Sequence, residues 1–369
     1  MRELITNLHI HTKYSDGTDS HIKIAQAALK SGLDVILTSD HNVLIQGVEG
    51  YYYPDVAISN NQPHRKSDKQ EYRPLLLLSG EEIHDRTRMP QKDHLLVFGV
   101  QREMASYATD TQDLVNKVRQ SGGVTFIAHP DEDALPFFGE TDITWTNWSI
   151  EGFTGIEIWN GLSEIKTLFK SWLDSTFYVY NPHLIARGPK DETLKNWDSL
   201  LSMGKRVVAI GGSDAHALEL NYGPLSPTIF PYEFHFKSIN THLLTPEYLT
   251  GSLEYDRQMV LHSLRQGHAF IGYDLAAQTR GFNFIAQGKG QTAIMGDEIP
   301  LKDGVTLNIR LPQRAECRLI RNGRLVEKWQ NQEICTYIAG RAGTYRVECY
   351  MYKWGRQRAW ILSNPIYVR

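Results

Sequence analysis

The stretch NLHIHTKYSDG, residues 7–17, sets two histidines two positions apart and an aspartate five further on, directly after an apolar run that reads as a strand. Side chains two apart on a strand share a face, so His9 and His11 are expected to point the same way. Asp16 falls in the loop that follows. A buried strand that happens to carry two histidines and the first corner of a metal site both fit this stretch alone. The rest of the chain discriminates between them.

The chain has 369 residues, of which 41% are hydrophobic and 22% charged, so it can bury a core and has room for two domains or one domain with an appendage. Its net charge of −3 gives no basic face for generic binding to nucleic-acid polymers or anionic membranes. No apolar run reaches the roughly 18 residues of a membrane span, and the motif begins too early to leave room for a signal peptide. Cys317, Cys335 and Cys349 are odd in number and lack C-x-x-C spacing, so they read as core hydrophobes in a reducing cytoplasm.

Up to about residue 280, short apolar runs alternate with amphipathic stretches. LITNLHI, LDVILTSD, PLLLLSGEEI, HLLVFGV, GVTFIAHP, TGIEIWN and RVVAIGGSD read as strands. IKIAQAALKSG, TQDLVNKVRQSGG, LSEIKTLFKSWLDS, DETLKNWDSLLSMG and YDRQMVLHSLRQG read as helices. This alternation predicts a parallel α/β layer or barrel over 1–280. From 281 to 369 the texture becomes short alternating strands with an Asn-Gly hairpin in RNGR, which predicts a small all-β, sandwich-like domain. Residues 44–74 and 218–247 read as long excursions, a length at which loops inside a compact domain are usually functional or disordered.

Position makes the polar residues informative. His9 and His11 end the first strand run, Asp40 and His41 the second, and Glu81, Glu82 and His84 the third. His129 ends FIAHP, Glu157 lies in GIEIWN, and Asp214 and His216 end AIGGSDAH. His94 is the exception, because it opens its run. Each residue alone is more often ordinary core or surface. Six strand ends bearing one residue class are a different matter, since ligands of parallel α/β folds gather at the C-terminal ends of strands. Burying so many carboxylates together is too costly unless cations neutralise them. The metal-site reading is therefore favoured.

Taken in order, H-x-H (His9, His11), the S-D-G loop (Asp16), D-H (Asp40, His41), G-x-E (Gly80–Glu82), His94, A-H-P (His129), G-x-E-x-x-N (Gly155–Asn160) and G-S-D-x-H (Asp214, His216) resemble the PHP, or polymerase and histidinol phosphatase, family. The tail containing WILSNPIYV is similar to the β-rich extension of some PHP-type hydrolases, among them carbamate-cleaving enzymes. The resemblance implies a distorted (β/α)7 barrel with two or three divalent ions (Zn, Mn or Fe). It implies that His9, His11, Glu82 and Asp214 hold one ion, and that Glu82 bridges to a second held by His94 and His129. Asp16, His41 and His216 would hold the third. Glu82, Asp214 and His216 form its catalytic core, Glu157 is a supporting or occasional ligand, Asp40 orients His41 or caps a turn, and Glu81 faces away.

The chemistry this implies is hydrolysis of a small phosphorylated or nucleotide-like molecule through a metal-bridging hydroxide. Arg187 and His183 are the expected substrate contacts, with Lys13, Arg88 and Lys92 as weaker cations and His84 as a further proton donor. Tyr51–Tyr53, Trp145, Trp148, Trp159 and Tyr232–Phe236 are aromatic residues that either stack a substrate ring or pack the core. Two other readings stay open: an amide, carbamate or ester hydrolase on the same cluster, and a binding module whose metals are structural. The expected partner is a small-molecule phosphoester, with no nucleic-acid polymer and no membrane.

Overall fold

A computed structural model of the chain describes residues 1–53, 74–136, 139, 141–218 and 228–369, and the backbone of 56–59. The N-terminal part begins with β1 (Arg2–Leu8), α1 (His21–Ser31) and β2 (Val35–His41), followed by a hairpin of β3 (Gly50–Tyr53) and β4 (Val56–Ser59). Next come β5 (Leu75–Ile83), β6 (Leu95–Phe98), α2 (Thr111–Gln120), β7 (Val124–Ile127) and β8 (Gly155–Asn160). The chain continues through α3 (Gly161–Leu168), α4 (Trp172–Tyr180), α5 (Asp191–Ser202) and β9 (Val208–Gly212). It then forms α6 (Tyr232–Phe236), β10 (Ile239–Thr245), α7 (Leu253–Gln266) and β11 (Ala269–Tyr273). The architecture is mixed α/β around one large sheet.

Local chemistry accounts for the element boundaries. The helix α1 buries Ile24, Ala25 and Ala28 on one face and stops at Gly32, whose φ of 80° is cheap only for glycine. The stretch 162–175, read above as one helix, is two. Phe169 ends α3, and Ser171 restarts the chain by accepting a hydrogen bond from Asp174 N at the head of α4. In β5 all nine residues are buried, as befits a strand covered on both faces.

Strand direction explains the placement of the polar residues. Parallel pairs join β1 to β2, β2 to β5, β7 to β8 and β8 to β9. β6 runs antiparallel to both β5 and β7, with Ile83 opposite Leu95 and Leu95 opposite Ile127. The link from Ile83 to Leu95 is too short and carries no helix, so it cannot make the crossover a parallel neighbour requires. His94, at the start of β6, therefore lies beside the ends of β5 and β7. Past β9, His11 N donates to Ala215 O (3.0 Å) and Ala215 N to His9 O (3.2 Å), which ties the end of β9 to the end of β1. Ile10 and Ala215 form a parallel bridge at the same place.

The excursion expected over 218–247 contains a strand. β10 pairs antiparallel with β1 from Arg2–Thr245 to Thr6–Thr241, and β11 pairs with β10. Residues 54–55, 60–73 and 219–227 of the two excursions lie outside the described residues.

Beyond residue 281 the chain is all strand: β12 (Asn283–Gly288), β13 (Gln291–Ile294), β14 (Glu298–Ile299), β15 (Val305–Arg321), β16 (Arg324–Ala339), β17 (Gly343–Lys353), β18 (Arg356–Ser363) and β19 (Ile366–Val368). Asn322 and Gly323 turn β15 into β16 with φ of 48° and 74°, the hairpin that RNGR encodes. The three cysteines are buried and unpaired, with Cys317 opposite Cys349. β18 pairs with β11, so the sheet runs continuously from one part into the other. The Asn364 side chain bonds both Ala209 N and Ala209 O at 2.8 Å, clasping β9 as another strand would. The buried Arg346 grips Asp198 of α5 through two nitrogens at 2.8 and 2.6 Å. No helix among the described residues is long and apolar enough to cross a membrane.

Candidate metal centre

The nine residues expected as ligands gather at one end of the strands. Glu82 is at the centre, with its two oxygens divided between two sets of imidazoles. Oε2 lies 3.1 Å from His9 Nε2, 3.1 Å from His11 Nε2 and 3.3 Å from His41 Nδ1. Oε1 lies 2.7 Å from His94 Nδ1 and 2.8 Å from His129 Nε2. Asp214 Oδ1 is 3.3 Å from both His9 Nε2 and His11 Nε2, while Asp16 reaches His11, His41 and His216 at 3.3–3.4 Å. His11 thus stands between two groups, turning Nε2 to Glu82 and Asp214 and Nδ1 to Asp16.

Getting there takes strained backbone. β1 stops at Leu8, and His9 has a φ of 69°, so His9 and His11 do not share a pleated face as the two-residue spacing suggests. They converge because the chain turns at His9, bridges Ala215 through Ile10, and turns again. His129 (24°) and Asp214 (52°) also have positive φ. For residues other than glycine this costs about 1–3 kcal/mol each, and such strain collects at functional sites. The loop holding Asp16 depends on Gly17, where a Cβ would lie 2.2 Å from His11 O.

The electrostatics call for cations. Burial opposes a charge on His9, yet Asp214, Glu157 and Glu82 hold its imidazole well above the usual range. Burial likewise opposes His11, but Asp214 and Glu82 push it up to about 10, and His129 rises to about 9 against burial under Glu132 and Glu82. Glu82 and Asp214, despite burial, are held well below the carboxylate range by the histidines around them. Burial dominates at His94 and lowers it. A site so dense in carboxylates binds protons unless stronger cations replace them.

The donor set fits divalent ions. His11 Nε2, His41 Nδ1 and His129 Nδ1 are buried without a hydrogen-bond partner among the described residues. The first two lie within ion-pair distance of Glu82 but are misaligned for a hydrogen bond. Five overlapping sets of described side chains could each surround an ion: His9–His11–Glu82, His9–His129–Asp214, Glu82–His94–His129, His11–Asp16–His41–His216, and His41–His84–His94, which adds His84 to the ligands expected from the sequence. Imidazole and carboxylate without thiolate suit Zn, Mn or Fe.

Supporting residues orient this set. Glu157 receives His9 Nδ1 at 3.1 Å, His129 N at 3.0 Å and Asn160 Nδ2 at 2.9 Å. Gly212 is required beside it, because a Cβ there would come 2.0 Å from Glu157 Oε1. Asp40 neither orients His41 nor caps the turn after it. Its carboxylate accepts from Thr12 N (2.8 Å), Thr12 Oγ1 (2.9 Å) and Ser15 Oγ (2.7 Å), fixing the loop that carries Asp16. Glu81 points to the other face and accepts from Met104 N at 2.9 Å, its carboxyl pushed up to about 7 by burial.

The expected substrate contacts are elsewhere. Neither Arg187 nor His183 lines the cavity above the cluster. Arg187 O accepts from Ala359 N of β18 and its guanidinium meets Tyr178 OH, while His183 packs on Trp354, because the C-terminal strands hold this segment. Arg88 pairs with Asp93, Lys92 with Asp142, and Lys13 lies over Tyr14. His84 stacks on His94 with ring centroids 4.4 Å apart, and burial pushes it down to about 3. Tyr51, Tyr52, Trp145, Trp159, Tyr232 and Phe236 are buried in the core. Glu132 and Lys166, which the sequence reading passed over, do line the cavity and pair at 2.5 Å. The only signal for Glu132 is its place three residues after His129 in HPDE.

Together these features define a candidate polynuclear metal centre on a mixed α/β sheet. Solved structures resemble the chain distantly. A two-domain protein containing a predicted PHP-like metal-dependent phosphoesterase from Bacteroides vulgatus aligns at 14% identity over 99% of this chain and 95% of that one, with a TM-score of 0.41. A candidate metal-dependent phosphoesterase from Bifidobacterium adolescentis aligns at 15% over 69% and 95%, with a TM-score of 0.35. An amidohydrolase from Chromobacterium violaceum, solved with sulfate and no metal, aligns at 12% over 62% and 92%, with a TM-score of 0.29. No protein-family model and no curated protein matches the chain.

Proposed function

We propose that this chain is a metal-dependent hydrolase of PHP type that cleaves a small phosphoric ester. The observation that carries this reading is the split of the Glu82 carboxylate between two groups of histidines. In this reading β1, β2 and β5–β9 make a distorted (β/α)7 barrel within residues 1–280, and residues 281–369 form a β-rich unit bracing it. His9, His11, Glu82 and Asp214 would hold one ion, Glu82, His94 and His129 a second, and Asp16, His41 and His216 a third. When bound, such ions supply Lewis acidity and a water acidic enough to act as nucleophile near neutral pH.

The chain's own residues then position and shield. Glu157 fixes the His9 ring and the His129 backbone, and Asp40 fixes the Asp16 loop, so the ligands are held before substrate arrives. Lys166, steadied by Glu132, is the one Lys or Arg among the described cavity-lining residues and orients an anionic substrate oxygen. That single, paired cation favours a second reading, in which the substrate is a carboxylic ester, amide or carbamate.

A panel of p-nitrophenyl phosphate, bis-p-nitrophenyl phosphate and p-nitrophenyl acetate, with added Mn²⁺ or Zn²⁺, tests both. Metal-dependent release from a phosphate ester is expected. Release from the acetate alone supports the second reading. No release with any metal after chelation and reloading rules out both.

A further inference from the structure

The cavity of about 640 Å³ above the cluster has walls of a different character from its floor. The metal-type residues form the floor. Leu162 and Ile165 of α3, Phe169 after it, Val179 of α4, and Ile229 and Phe230 before α6 form the walls. Leu162, Ile165, Phe169, Ile229 and Phe230 belong to an apolar cluster separate from the main cores, with the Phe169 and Phe230 rings 6.0 Å apart. Ser175, Thr176, Thr228 and the Glu132–Lys166 pair also line the cavity, but a polar group brought against the six apolar side chains would lose water and gain no partner from them, which is costly.

The helix α4 extends this apolar surface outward. On a surface helix the face away from the core is normally polar. Here Leu173 is 84% and Tyr180 81% exposed, with Trp172 and Phe177 more than half exposed beside them. Asp174 is the only charged residue in the helix, and Ser171 occupies it at 2.7 Å. Trp172 and Tyr180 also line the cavity, so the apolar surface continues from the outside of α4 to the chamber within.

We infer that the substrate is an amphiphile, with its hydrolysable polar head on the metal centre and an alkyl tail between α3, α4 and the Ile229–Phe230 wall. This rests on the hydrolase reading for the head alone, since the tail site is made of apolar side chains and of none of the residues that would hold an ion. The exposed face of α4 is the route by which a tail reaches the chamber.

Two measurements test the inference separately from that reading. Metal-loaded protein is titrated calorimetrically with n-alkylphosphonates from methyl to octyl. Affinity is expected to rise about threefold to fourfold per methylene, the effect of the ~0.8 kcal/mol a buried CH₂ contributes. Phe230→Ser and Ile165→Asn, each checked for a native melting transition, should flatten the series while leaving methylphosphonate binding as it was. The second measurement needs no metal: displacement of 1-anilinonaphthalene-8-sulfonate by n-alcohols should strengthen from butanol to decanol in the native chain and lose that trend in both variants. If phosphonates fail to bind but the alcohol trend holds, the tail site stands and the phosphoester reading fails. A flat alcohol series, or a flat phosphonate series with methylphosphonate bound, overturns the inference.

Discussion

His94 Nδ1 lies 2.7 Å from Glu82 Oε1, although the two side chains come from strands running in opposite directions. The antiparallel turn between β5 and β6 creates this contact, and Glu82 is thereby shared between two groups of imidazoles. Glu82→Gln preserves shape but removes the charge and one acceptor. Metal content after dialysis, measured by mass spectrometry, should fall by more than the 10–100-fold affinity loss typical of supporting residues, and hydrolysis should fall with it. A variant that keeps both its metals and its turnover removes Glu82 from the centre.

Glu157 acts one step further out. Glu157→Gln can keep one oxygen for the His129 N and Asn160 Nδ2 donors but sets an NH2 group against His9 Nδ1 in place of the other oxygen. The expected result is a 10–100-fold weaker metal affinity with a near-native fold, on the scale of outer-shell substitutions. Metal titration of the chelated protein, with circular dichroism as the folding control, checks it.

Asp40→Ala removes the acceptor for Thr12 N, Thr12 Oγ1 and Ser15 Oγ. Losing a buried acceptor shared by three donors is expected to cost about 1–3 kcal/mol in chemical denaturation. Because the Asp16 loop is what it anchors, the ion that Asp16, His41 and His216 would hold should be lost first. Uniform loss of all ions would point to general unfolding instead.

His242, opposite Ile5 of β1, is fully buried between Glu3 (2.7 Å) and Asp274 (3.1 Å). Burial opposes its charge, but the two carboxylates outweigh burial and raise it to about 9 from the ordinary 6.5. A raised folded-state value stabilises the fold fully below about 6.5 and loses that effect as pH climbs through about 9. His242→Gln should therefore be less stable than the native chain by on the order of 2–3 kcal/mol at pH 6, with the gap closing by pH 10. Denaturant midpoints across that range test the sign. A gap that widens with pH contradicts the assignment.

Arg187→Ala should leave kcat and KM on the best substrate unchanged, because the guanidinium meets Tyr178 outside the cavity. A rise in KM would return Arg187 to the substrate.

Much of the site is legible in one dimension because a strand end is a local property. A run of buried apolar residues closing in His, Asp or Glu marks where the strand leaves the core, and His41, Glu82 and Asp214 follow that rule. His94 breaks it for a reason no local pattern records: strand direction depends on the length of the preceding link and on what it pairs with. His9 and His11 illustrate the same limit. Their spacing suggests a shared pleat, but the convergence comes from a positive φ that the bridge to Ala215 maintains.

The sequence by itself determined that metal-type ligands would concentrate, since burying so many carboxylates has few other physical solutions. It also determined the change from α/β to all-β texture near residue 281, because side-chain periodicity is set locally. Only the tertiary structure decided what surrounds the centre. Arg187 carries charge and a promising position, yet the C-terminal strands hold its segment outside the cavity. Lys166 and Phe169, in and just after α3, and Phe230, before α6, carry no motif, yet the packing of these separate segments brings them over the cluster. Which side chains face a cavity depends on how separate elements pack, and that packing is not encoded in any single stretch.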